Sequence, residues 1–332
     1  MTGVAAISRR RLIQVTAAMA GVGLLSAGLS AATKPLVWRG TALGAASSLT
    51  LYHPDKKEAR RVLESALAEI RRLEQVFSLY RADSAISRLN RDGRLEAPPL
   101  ELVELLGQAR SLSELTDGAF DVTVQPLWRL HVDHFARVGA DPGGPDRLAL
   151  ARALALVDYR AMRVSSDAIA FERPRMAITL NGIAQGTITD RVATLLRRAG
   201  FERVLIDLGE IRALGRHPDG RPWMAGIADP EDKTKLLQEL TLDNRALATS
   251  AAAGLRFEPS GRYHHLFDPR SGRSSQLHAS VSVLASSASV ADGLSTGFSG
   301  MTAKAIAEVC RNAPDVTAFV LDQGGRLRSL GA

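Results

Sequence analysis

The feature that most limits how this chain can fold is that its apolar period changes in blocks. Behind Pro54 and Asp55, residues Val62, Leu63, Ala66, Leu67, Ile70, Leu73 and Phe77 recur on one helix face, with Arg and Glu opposite. The spacing predicts a long helix ending near Ser78, a short one over 84–89 and a second amphipathic helix over 98–116. Strand-like runs are expected at 48–52, 122–124 and 177–180, with a hairpin at 162–164 and 168–171. One more helix follows Gly186 and stops at Gly200. Then come short strand-like runs at 204–208, 223–227, 246–249, 263–267 and 279–285, two helices over 290–301 and 304–312, and a closing hairpin at 318–321 and 327–330. A doubly wound parallel sheet needs strands and helices to alternate. Clusters without that alternation predict an α+β fold, with mixed or antiparallel sheets and packed helices.

The first 32 residues read as an address. Arg9-Arg10 directly after Ser8, then a mildly apolar run of small residues from Val15 to Ala32, match a twin-arginine export signal. The chain is therefore expected to divide into a signal at 1–32, cleaved after Ala32, and a catalytic domain at 33–332. This places the mature protein in the periplasm, handled by the twin-arginine export machinery. An uncleaved segment would instead be a membrane anchor. The formal charge of +7 is not gathered into a basic stripe interleaved with aromatics, which argues against nucleic acid and leaves room for an anionic small molecule. A single cysteine, Cys310, excludes an intramolecular disulfide and a cysteine metal site. The pattern sets no oligomeric state.

Four segments carry groups that could do chemistry. Asn181-Gly182-Ile183-Ala184-Gln185-Gly186 lies between a strand-like run and a helix, so its glycines and the helix N-terminus could receive a phosphate; it could equally be a plain turn. In Asp292-Gly293-Leu294-Ser295-Thr296, Asp292 and Thr296 share a helix face with Ser295 beside it, an oxygen set suited to magnesium or to ordinary helix capping. His264-His265 leads into Asp268-Pro269, and His265 could be a general base or a structural histidine. Gly118-Ala119-Phe120-Asp121 could clamp a flat ring, with Phe120 or Tyr80 as walls, or simply pack in the core.

In order, these segments resemble the ApbE-type FAD:protein FMN transferases. Further matching pieces are Phe77-Ser78-Leu79-Tyr80-Arg81-Ala82-Asp83-Ser84, Asp207-Leu208-Gly209, Ala248-Thr249-Ser250 and the continuation through Arg270-Ser271-Gly272. The wording of 181–186 is most similar to the NosX-like branch that serves nitrous-oxide reductase maturation. The resemblance implies a T-fold-like α+β architecture and magnesium-dependent transfer of FMN from FAD to a Ser or Thr hydroxyl of another protein, with release of AMP. It implies Mg2+ on the side chains of Asp292 and Thr296, with Ser295 nearby and the carbonyl of Ile188 as a further ligand. FAD would be held by Leu43, Tyr80, the turn Ala119, Phe120 and Asp121, then Gln185, Ser250 and Phe267, with His265 as base. The acceptor would be a flavoprotein of the NosR type. An FAD pyrophosphatase giving FMN and AMP, or a non-catalytic flavin-binding protein, would use the same residues.

Overall fold

The structure, a computed structural model, describes residues 34–42 and 44–331. The expected signal segment and Leu43 lie outside the described residues. Among the described residues every strand pairing is antiparallel. The main sheet has the strand order β1 (Leu36–Ala42), β2 (Ala45–Leu51), β6 (Val204–Asp207), β7 (Ile211–Leu214), β10 (Ala246–Ala251), β11 (Ser280–Ala285), β12 (Thr317–Leu321), β13 (Leu327–Leu330). Strands β3 (Arg94–Glu96), β5 (Ala168–Phe171) and β4 (Met162–Val164) form a small sheet, and β8 (Trp223–Ala228) pairs with β9 (Leu236–Leu242).

Period-2 alternation sends successive side chains to opposite faces, so the central strands bury both. Val281, Val283, Ala318 and Val320 face the larger core, packed beneath α1 (Lys56–Phe77), α3 (Leu100–Leu115), α6 (Ala184–Arg198), α7 (Ala288–Phe298) and α8 (Ala303–Asn312). Leu284 and Phe319 face a smaller core closed by Trp223, Ile227 and Leu242 of the β8–β9 hairpin. Helix α1 begins at Asp55, whose carboxylate accepts from the amides of Lys57 and Glu58. Helix α2 (Ala85–Asp92) ends at Gly93, whose φ of 73° supplies the left-handed cap. Helix α7 starts at Ser287 and is braced from α6: Asp190 accepts from Ser287 Oγ and from the amides of Ala288 and Ser289. Among the described residues no helix is long and apolar enough to cross a membrane.

Three expectations fail. Residues 177–180 form no strand. The Asn90 side chain exchanges hydrogen bonds with Ile178 at 2.7 and 2.8 Å, and the amide of Thr179 donates to Val122, so the extended segment is satisfied without a ladder. Residues 263–267 make only single bridges, at His264 and Phe267, because a side chain, Ser274 Oγ, takes the amide of His264. The expected strand at 122–124 is a 3-10 turn that opens α4 (Gln125–Phe135), a helix the periodicity did not reveal; Asp121 caps the turn and Pro126 sits in the first helical turn. Helix α5 (Arg147–Leu154) follows, and it forms a third small core with α4 around Leu127, Ala153 and Phe267.

Candidate active site

A deep cleft opens where α6, α7 and β10 meet the loops after α1 and around 254–267. Tyr80, Phe120, Asp121, Gln185, Ser250, His265, Phe267, Asp292 and Thr296 all line it. Ala119 and Ser295 lie buried just behind, at 4% and 1% exposure. Ile188 is not brought there. It lies a turn inside α6 with its side chain in the main core, where a helical carbonyl is committed to the amide four residues on. Its expected part in a metal site has no geometric support.

The floor is made by contacts between distant elements. Asp292 Oδ2 accepts from the amide of Gly186 at 3.0 Å. Ser250 Oγ lies 2.8 Å from Ser295 Oγ and 3.2 Å from Thr296 Oγ1, and Ser295 Oγ donates to the carbonyl of Asp292 at 3.0 Å. The turn at 182 presses on this group: a Cβ on Gly182 would fall 2.7 Å from Thr296 Oγ1. A Cβ on Gly186 would meet the carbonyl oxygen of Ala288 at 2.3 Å, and one on Gly293 would meet Leu112 at 2.4 Å. The glycines of both segments therefore serve close packing of α6 on α7 and of α7 on α3. The expected phosphate cradle is largely spent internally: the amides of Ala184 and Thr187 donate to Leu180 and Ile183, and that of Gly186 to Asp292.

Burial sets the electrostatics. It pushes the Asp292 carboxyl up to about 7, with the charge of Asp190 adding to the effect, and Asp207 up to about 6. Glu210, which sequence reasoning left unassigned, is raised well above the carboxylate range by burial and then by Asp292 and Asp207. Its only sequence signal was an acid between Leu208 and Ile211, two apolar neighbours of the turn. Asp121 is pushed up to about 6 by burial, and both its oxygens are structural, accepting from Thr123 (2.7 and 2.6 Å) and from the amide of Tyr159 at 3.0 Å. His265 Nδ1 lies 3.1 Å from the carbonyl of Leu255, which can only accept. The proton is thus on Nδ1 and the Nε2 lone pair is free. Burial lowers this histidine to about 4, so the ring is neutral at pH 7.

The walls differ from the floor. Tyr80 stands 57% exposed at the rim, and Phe267 is held from behind by Phe257 and His131, with ring centroids 6.0 and 4.9 Å away. Gln185 packs against Gly209, whose φ of 101° only glycine adopts readily. Asp229, Pro230 and Lys233, from the loop between β8 and β9, close another side, and no local pattern around them points to this cleft.

Among the described residues no group of three or more His, Cys, Asp or Glu could hold a metal. The donors at the floor are instead one carboxylate and neighbouring hydroxyls, all oxygen, with Asp292 and Ser295 buried and Ser250 and Thr296 half-buried. That set fits a hard cation which keeps water and takes the rest of its ligands from substrate phosphates.

Fold and cleft together define an α+β enzyme with an oxygen-lined floor beneath an aromatic slot. The chain belongs to the ApbE family, whose profile matches residues 43–320. It is 31% identical over 232 residues to the FAD:protein FMN transferase of Haemophilus influenzae, covering 67% of each chain. It is 32% identical over 253 residues to that of Vibrio cholerae, covering 74% of this chain and 73% of the other. Among solved structures, the flavin transferase ApbE from Vibrio cholerae superposes with a TM-score of 0.75 at 25% identity, covering 90% of this chain and 97% of that one. The ApbE protein from Thermotoga maritima gives 0.77 at 26% identity, covering 89% and 97%.

Proposed function

We propose that this enzyme transfers FMN from FAD to a Ser or Thr hydroxyl of an acceptor flavoprotein and releases AMP, with magnesium. The observation that carries the reading is the floor: Asp292, Thr296, Ser250 and Ser295 joined beneath an aromatic slot, in a chain of this family. The acceptor hydroxyl attacks the flavin-side phosphorus of FAD. A new P–O bond forms, the bond to the bridging oxygen breaks, and AMP leaves with that oxygen. The hydroxyl proton passes to His265 Nε2, the free lone pair of the ring. A base lowered to about 4 is weak, and the negative charge of bound pyrophosphate raises it toward the working range. Tyr80, Phe120 and Phe267 flank the isoalloxazine ring, and Gln185 fixes the turn at Gly209 against α6. Magnesium held by Asp292 and Thr296 would neutralise charge on the pyrophosphate oxygens.

The proposal extends to place and partner. Arg9-Arg10 and the apolar run after it support export by the twin-arginine route to the periplasm, and the wording of 181–186 supports the NosX-like branch, with a NosR-type acceptor in nitrous-oxide respiration. The test incubates the protein with FAD and an acceptor domain, with and without magnesium, weighs the acceptor and follows AMP. An acceptor heavier by one FMN only with magnesium is the expected result. AMP and free FMN without a labelled acceptor would make it a pyrophosphatase, and bound FAD without AMP a carrier.

A further inference from the structure

Glu210 has no part in the reaction above, yet the fold goes to some length to present it. It stands at the turn between β6 and β7, directly after the positive-φ Gly209, is 6% exposed and lines the cleft. Its carboxylate accepts from the amide of Thr249. Oε2 is buried and has no hydrogen-bond partner among the described residues. A buried carboxylate oxygen without a partner is costly, and Asp207 and Asp292 beside it add repulsion rather than relief. A group so placed is satisfied when something enters the cleft.

Its position says which part of a ligand that would be. Thr249 precedes Ser250, which bonds Ser295 and Thr296, so Glu210 stands next to the floor rather than at the rim. A phosphate oxygen there could pair with it only while the carboxyl holds its proton, and would otherwise meet it as a like charge. On either side of a dinucleotide's pyrophosphate lies a sugar unit, joined through a CH2 and carrying hydroxyls within a few bonds of the phosphate. A hydroxyl both donates and accepts, so it can pair with Oε2 whether or not the carboxyl holds a proton. We propose that Glu210 reads a sugar hydroxyl next to the pyrophosphate of the dinucleotide, on the ribityl chain or on the ribose. This deepens the transferase reading and rests on it. A ligand without that hydroxyl leaves Oε2 unpaired, the situation in which a site rejects an analogue most strongly.

The test measures binding of FAD, FMN and AMP by calorimetry to the full chain, Glu210→Gln and Glu210→Leu, in chelator and in magnesium, with thermal midpoints alongside. The expected result is an FAD Kd raised about tenfold in Glu210→Leu and less in Glu210→Gln, whose amide still pairs with a hydroxyl. The loss is the same in chelator and in magnesium. Midpoints do not fall, because an unpaired buried carboxylate has been removed. FMN weakened with AMP unchanged assigns the ribityl chain, and the reverse assigns the ribose. Unchanged FAD affinity in both variants overturns the proposal, and so does a loss seen only with magnesium, which would place Glu210 on the cation. Wild-type protein that binds no FAD would instead sink the transferase reading.

Discussion

The floor of the cleft and its rim are held by different means. The floor is secondary structure against secondary structure: α6 on α7, α7 on β10, with Gly182, Gly186 and Gly293 removing the side chains that would keep the backbones apart. Its polar groups are buried or half-buried and bonded to each other or to the backbone beside them. The rim is loop and side chain. Tyr80 stands out in solvent, and the loop between β8 and β9 reaches over from a separate hairpin. A site whose chemistry needs fixed oxygens and whose substrate must enter and leave gains from this division. A mutation in the floor should therefore cost activity or folding, whereas one at the rim should cost only affinity.

The sharpest break would come at Asp292. Asp292→Ala is expected to lower the rate of AMP release about a hundredfold or more. Asp292→Asn keeps an oxygen for the Gly186 amide and removes the charge, so near wild-type turnover in that variant would show the charge is not needed. Next is Gly186→Ala, whose new Cβ would fall 2.3 Å from the Ala288 carbonyl oxygen. It should cost about 2 kcal/mol in chemical denaturation, and an unchanged midpoint would mean the floor is not rigid. At the rim, Tyr80→Ala should raise the KM for FAD about fivefold and leave stability within about 0.5 kcal/mol. A large stability loss there would erase the distinction.

The smallest effect is one of pH. His265 binds its proton near pH 4 in the fold, against 6.5 unfolded. As pH falls from 6.5 the unfolded chain protonates first, so this histidine withdraws stability between 6.5 and about 4 and adds none above 6.5. Urea midpoints at pH 7 and pH 5 should therefore fall further for wild type than for His265→Gln. His264 is also lowered, and by the same logic, but it is present in both proteins and cancels. Equal drops would mean the ring is not held neutral.

Much of this was legible in the chain. Helix α1 follows from its apolar face and its Asp55 cap, and the hairpins at 162–171 and 317–330 follow from alternation interrupted by turn residues. The motif residues from Tyr80 to Thr296 do converge on one cleft. Helix α4 was hidden because Asp121 and Pro126, its start signals, sit in a run of Val and Thr that reads as a strand. Glu210 was hidden because a lone acid in a turn has no pattern around it.

The sequence by itself determined the α+β class, most element positions and the order of the motifs, because periodicity, caps and turns act over a few residues. Only the tertiary structure decided which donors were already spent. The amide of Gly186 is taken by Asp292, 106 residues away, so the helix start that reads as a phosphate cradle is instead a joint between α6 and α7. It also decided that Ile188 turns into the core while Glu210 keeps one oxygen unpaired in the cleft. Those outcomes depend on long-range packing and burial, which no local pattern records.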